Sequence, residues 1–278
     1  MKFSNSKQFK DWIKNKEKAE GIPANTLPNY YMMERFLERI SVSPYNSNFI
    51  FKGGFLISSI LGVSLRSTLD IDATLKGIAM SEEKIIKVIE EIISIDLGDD
   101  TSWKTVGIKN IHTSGKYEDF RITLQVDFFN ITEFIKIDLT TGDLLVPKEI
   151  EHSYRLMFED RTISIKAYHL YTILAEKAET VLSRNIANTR AKDFYDLYTL
   201  TRINREEIDL AEFSKALEEK CKERGTLSYL QAKGDYLEMI RESSELKELW
   251  VSYQNKNKYA QDIDWEEVIK NIKYLVGE

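Results

Sequence analysis

One cysteine in 278 residues, Cys221, leaves nothing from which to build an internal disulfide framework or a multi-cysteine zinc motif. It lies in the charged helical pattern 218–222, where a small, partly covered side chain is the plain reading. The three histidines, His112, His152 and His169, stand far apart and none has an HExxH-like context, so nothing points to a histidine-held zinc. The chain also lacks GxGxxG, GxxxxGK[ST] and GxSxG, which removes the anchors of Rossmann, P-loop and α/β-hydrolase readings. Four prolines and twelve glycines beside 11% aromatic residues exclude collagen-like and disordered composition. No run of about 18 uncharged apolar residues occurs, and the first residues carry no apolar signal core, so the expectation is a soluble, cytoplasmic protein with no membrane partner. With a net charge of -6 the chain cannot coat nucleic acid with its whole surface; any such contact must be a local patch.

What is present is 42% hydrophobic residue content over a length that suits one large or two modest domains. Helix-period apolar residues over 5–20 and 27–41 predict two opening helices, interrupted at Gly21-Ile22-Pro23. Phe49-Ile50-Phe51 then reads as a short strand, Gly53-Gly54 as a turn, and residues 55–61 as a helix. Alternation over 69–75 predicts a strand, with Leu69, Ile71 and Ala73 facing the core, and Ser81 caps a helix to about residue 95. Strands are expected over 103–113, 121–128 and 131–139, and helices over 168–182, 191–201, 209–222, 229–246 and 265–274. A mixed α/β half, residues 1–160, is therefore followed by an all-helical half, residues 161–278.

The chemistry-bearing residues cluster in the first half. Asp70 and Asp72, two apart on a strand, project from one face, where unpaired they would repel unless a divalent cation sits between them. Oxygen ligands at that spacing suit Mg2+, and Asp138, on another strand, offers a third carboxylate if the strands are adjacent. Upstream, the Gly53-Gly54 turn opens a helix whose free N–H groups point at an anion. Arg66, Ser67 and Thr68 add a guanidinium and two hydroxyls. Separately each has a bland reading: a solvated strand face, a turn, a surface arginine.

Together, Phe51-Lys52-Gly53-Gly54-Phe55 and Leu65-Arg66-Ser67-Thr68-Leu69-Asp70-Ile71-Asp72 resemble the signature of the AbiEii/AbiGii-type toxins, relatives of the DNA polymerase β-type nucleotidyltransferases. Two later segments, 174–184 around Lys177 and 190–198 around Asp193, match in order, so the resemblance spans roughly residues 49–200. Gly54 stands where many of the polymerase-like enzymes have serine, and the interval from Gly54 to Asp70 is longer than in their minimal pattern. The resemblance implies an α+β fold, a polymerase β-like nucleotidyltransferase domain with a mixed sheet and then an all-helical C-terminal domain. It implies Mg2+, with Mn2+ as a substitute, held by Asp70, Asp72 and Asp138, and an NTP held by Lys52, Gly53, Gly54, Arg66, Ser67 and Lys177. Lys177 and Asp193 are the helical-domain residues it carries as functional; Asp193 could orient Lys177, position the incoming hydroxyl or cap a helix. The implied role is a toxin of a toxin-antitoxin or phage-defence (abortive infection) system that transfers NMP to an RNA acceptor, the tRNA 3' end, and is neutralised by a cognate antitoxin protein.

Residues 161–205 hold eight basic and four acidic side chains, a net of +4 in a chain of -6, which leans toward an RNA or triphosphate seat. Pairing between exposed helix residues is the bland account of the same charges. Two rivals stay open: a small-molecule, aminoglycoside-type nucleotidyltransferase, which needs an acidic acceptor pocket, and a non-catalytic nucleotide- or antitoxin-binding module.

Overall fold

The computed structural model describes residues 3–79, 81–111 and 119–278. The chain divides into two compact units, residues 1–143 with 149–168, and residues 144–148 with 169–278. The division expected at 160/161 falls instead at Tyr168/His169, because two strands after residue 149 belong to the first unit.

Among the described residues, the first unit is a seven-stranded mixed sheet with four helices. Helix α1 (Ser6–Glu20) starts where the Asn5 side chain accepts the N–H of Gln8 and stops at Gly21 in the left-handed region. Helix α2 (Leu27–Val42) is buried on almost every side, its charged residues included: Arg39 grips Asp99 with two hydrogen bonds of 2.7 and 2.9 Å, and Arg35 meets Glu159 at 2.7 Å. Strand β1 (Phe49–Lys52) runs into α3 (Gly53–Leu61), then come β2 (Asp70–Leu75) and α4 (Glu82–Ile93), which Ser81 caps. Strands β3 (Thr101–Asn110), β4 (Phe120–Phe128), β5 (Ile131–Thr140), β6 (Ile150–Arg155) and β7 (Thr162–Ala167) complete the sheet. His112 and Thr113, the end of the strand expected over 103–113, lie outside the described residues.

The sheet order is β3-β4-β5-β2-β1-β7-β6, with β2 parallel to β5, β1 parallel to β7 and the other pairs antiparallel. Ile122, Leu124, Val126 and Phe128 of β4, with Ile135, Ile137 and Leu139 of β5 and Ile71 and Ala73 of β2, form the buried face. The alternate residues, Arg121, Asp138, Asp70 and Asp72 among them, therefore share the other face. Leu69 departs from expectation: it precedes the strand and is 57% exposed.

The second unit is helical: α5 (Leu170–Arg184), α6 (Ala191–Ile203), α7 (Leu210–Arg224), α8 (Leu227–Gln231), α9 (Lys233–Glu242), α10 (Ser244–Lys256) and α11 (Trp265–Val276). The single helix expected over 229–246 is parts of three. Ala232 leaves helical geometry, and Ser243 ends α9 and accepts the N–H of Leu246 to start α10. Phe194, Tyr195 and Leu197 of α6 are core residues, as are Val268, Ile269 and Ile272 of α11. Cys221 is buried, a free thiol whose pKa burial raises.

Candidate active site

The glycine turn and the acids meet within the first unit. Lys52, the last residue of β1, is the register partner of Asp72 on β2, and Asp72 is the register partner of Asp138 on the parallel strand β5. Asp70, two residues before Asp72, projects from the same face. Gly53 adopts φ +66°, and a Cβ there would sit 2.1 Å from Asp72 Oδ2, so only glycine lets the chain turn this close to the carboxylate. The Gly54 N–H donates to Asp72. The first donor of the expected phosphate cradle is thus aimed at the acid, which fixes the turn and the carboxylate to each other.

The Asp72 carboxyl is perturbed. Burial pushes its carboxyl above the ordinary range, Asp138 and Asp70 add to the push, and Lys52 and the Gly54 N–H oppose it. Like charges held on neighbouring strands fit a divalent cation, because a cation between them removes that repulsion. Among the described residues, no three acid, histidine or cysteine side chains already stand together as a metal site. Both oxygens of Asp138 are taken by Arg121: Nε donates at 2.7 Å and Nη2 at 2.6 Å.

Lys52 also reaches a second acid, Asp143. Its ammonium donates to Thr140 Oγ1 and Asp143 Oδ2, both at 2.6 Å, and Asp143 also accepts from Tyr168 at 3.0 Å and from Thr74. Burial would raise the Asp143 carboxyl, but Lys52 and the hydroxyls of Thr74 and Thr140 outweigh it and hold it well below the usual range.

Arg66 is buried beside the turn. A Cβ on Gly54 would lie 3.3 Å from its Nη2 and 2.9 Å from Thr68 Oγ1, and Arg66 Nη1 donates to the Ser67 carbonyl at 2.5 Å. The loop is anchored through Tyr30. Its phenol accepts the Thr68 N–H at 2.9 Å and donates to Ser58 Oγ at 3.1 Å, while Ser58 donates to the Gly54 carbonyl at 2.8 Å. Burial raises the Tyr30 pKa, against the hydrogen bonds with Ser58 and the Thr68 N–H.

In the second unit, Lys177 on α5 meets Asp193 Oδ1 at 2.9 Å and Asp196 Oδ2 at 2.7 Å, both on α6. Arg190 Nε reaches Asp193 Oδ2 at 2.9 Å. Burial would depress the Lys177 ammonium, but Asp196 and Asp193 hold its pKa above the ordinary value. Asp193 touches the Lys177 ammonium, the contact that the first of its three possible roles requires.

Several basic residues of 161–205 are similarly engaged. Arg161 pairs with Glu159 and Glu38, Lys166 with Glu151, Arg190 with Asp193, and Arg205 stacks on the Tyr274 ring. Arg161 and Lys166 belong to the sheet unit and the other six to the helical unit. The charge argument for RNA loses its force.

Residues 70 and 72 were legible from their spacing, and the Gly turn from its sequence. Arg121 and Asp143 were missed. The alternation of β4 placed Arg121 opposite the apolar face, but only the β4–β5 register aims it at Asp138. Asp143 follows a Thr-Thr-Gly turn and carries no local signal.

A mixed sheet bearing clustered acids against a glycine turn, together with a helical unit, makes this an α+β fold. The family model described as "Nucleotidyl transferase AbiEii toxin, Type IV TA system" matches residues 35–276, and the chain belongs to that family. It is a nucleotidyltransferase and a toxin of the toxin-antitoxin kind. Two solved Helicobacter pylori structures resemble it. One, described as a candidate nucleotidyltransferase, is 14% identical with a TM-score of 0.48 over 91% of this chain and 93% of its own. The other, JHP933, is 16% identical with a TM-score of 0.49 over 92% of each chain. No curated protein matches. Among the described residues no helix is long and apolar enough to cross a membrane.

Proposed function

We propose that the protein is a Mg2+-dependent toxin of the cytoplasm that transfers a nucleoside monophosphate from an NTP to an RNA acceptor, the tRNA 3' end, releasing pyrophosphate, and that a cognate antitoxin protein neutralises it. The observation that carries this reading is the register of Asp72 opposite Asp138, with Asp70 on the same face and the Gly53-Gly54 turn pressed against Asp72.

Asp70, Asp72 and Asp138 are the residues that would hold the divalent cations. Bound there, Mg2+ supplies charge neutralisation for the attacking and leaving oxygens. Asp138, once free of Arg121, accepts the proton of the attacking hydroxyl at a carboxylate oxygen. The Gly53-Gly54 backbone lets the triphosphate approach, and Arg66, Ser67 and Lys52 steady its oxygens as charge moves onto the leaving group. Lys177 and Asp193 enter through the likeness of their segments to the family, with Asp193 and Asp196 fixing the ammonium. The RNA acceptor rests on that likeness alone.

The test is incubation of the protein with Mg2+, total RNA and each labelled NTP in turn. Label should pass into a tRNA-sized band, and Asp70→Asn or Asp72→Asn should reduce it by at least about a thousandfold with an unchanged thermal melt, as for loss of a group acting in the transition state. Label passing to a small molecule while RNA stays blank would favour the small-molecule rival. No pyrophosphate release from any NTP would leave the binding module.

A further inference from the structure

Across the sheet, β4, β5, β2 and β1 bring Arg121, Asp138, Asp72 and Lys52 into one row of register partners. Partners in register share a face, with strands about 4.8 Å apart, so the charges run plus, minus, minus, plus. The two ends of the row behave differently. Lys52 donates to Asp143 and Thr140, and its charge together with the Gly54 N–H favours the ionised form of Asp72. Arg121 instead takes both oxygens of Asp138 in a two-pronged contact. Asp138 is thereby committed to a guanidinium where, beside Asp72, a divalent cation would need one of its oxygens. The Arg121 side chain is 38% exposed and can swing into solvent, whereas Asp138, 16% exposed, is left as a carboxylate that a cation must then take up.

We propose that Arg121 is a positioning residue that competes with the divalent cation for Asp138 and yields it when nucleotide phosphates draw the guanidinium away, so that cation and nucleotide bind cooperatively. The proposal rests on the reading of Asp70, Asp72 and Asp138 as the cation-holding acids. Arginine suits both states, because its planar fork matches a carboxylate and a phosphate equally well. Coupling of this kind is reciprocal: whatever factor the nucleotide adds to cation affinity, the cation adds to nucleotide affinity.

The experiment is titration of Mn2+ into the full chain, with free ion read by electron paramagnetic resonance, without and with an α,β-methylene NTP analogue and corrected for Mn2+ held by the analogue alone. Arg121→Gln is expected to bind Mn2+ alone about tenfold more tightly than the wild type, and to lose most of the further tightening that the analogue gives the wild type. Arg121→Lys, which keeps the charge without the fork, should fall between, and melting curves establish that each variant is folded. Mn2+ binding no tighter in Arg121→Gln, or equal tightening by the analogue in both proteins, overturns the proposal. Asp72→Asn separates it from its premise: if that change leaves Mn2+ binding intact, the acids do not hold the cation at all.

Discussion

Gly53 is tied to its place twice, by a φ of +66° and by the absence of room for a Cβ beside Asp72. Left-handed geometry alone costs an L-residue about 1–2 kcal/mol. Gly21, at φ +69° with nothing within 4 Å, isolates that cost. Gly53→Ala is therefore expected to destabilise more than Gly21→Ala in denaturant titration, and alone of the two to abolish nucleotide incorporation, because it must displace the Asp72 carboxylate. Equal stability losses, or an active Gly53→Ala enzyme, would remove the close approach as the reason for the glycine.

Helices α5 and α6 hold a buried charge cluster that changes the outlook for Lys177. The sequence suggests a lysine at the edge of an apolar face, free to act on a nucleotide, so that Lys177→Ala would weaken NTP use more than stability. Its partners Asp193 and Asp196 are 1% and 0% exposed, and removing the ammonium leaves two buried carboxylates facing each other. Breaking one side of such a pair costs about 3–5 kcal/mol. Lys177→Ala is accordingly expected to destabilise by that order, and the double variant with Asp196→Asn to recover part of the loss in a double-mutant cycle. Additive losses would mean that the pair does not couple. The elements show where local pattern suffices and where it fails. Caps and glycine stops located α1 and α4 because those signals act within one turn. β6 and β7 were missed: the alternation of Ile163, Ile165 and Ala167 is only three residues long, and β6 buries little besides Tyr154. Gly234 stands just after the α8–α9 break, inside the first turn of α9 instead of at the end of α8, and the α9–α10 break has no proline or glycine beside it. In α2, Glu34, Arg35, Glu38 and Arg39 are buried because partners far along the chain satisfy their charges.

For the molecule as a whole, stability should respond to pH through buried acids of opposite bias. Burial raises the Glu34 carboxyl to about 7, against the hydrogen bond from the Met157 N–H and the pull of Arg35. The unfolded chain ionises near 4.5 while the folded one keeps the proton, so stability falls as pH rises from about 4.5 to 7, by on the order of 3 kcal/mol in all. Asp143 and Glu159 act in the other direction. Their folded values lie below the unfolded ones, Glu159 at about 2, so their contribution is present above the usual carboxylate range and disappears as pH falls through it. Glu34→Gln should match the wild type in melting temperature near pH 4.5 and exceed it increasingly toward pH 7. A gap independent of pH would show Glu34 ionised in the folded protein.

The sequence by itself determined the α+β order, the strand that carries Asp70 and Asp72, the turn at Gly53-Gly54 and the family, because each is written in residues within one turn, one strand or one motif of each other. Only the tertiary structure decided that Asp138 lies opposite Asp72, that Arg121 holds it, that Lys52 goes to Asp143 and that Lys177 is enclosed by two acids. Those pairings depend on strand register and helix packing between residues 16 to 91 positions apart, and no periodicity in the chain encodes a partner at that distance.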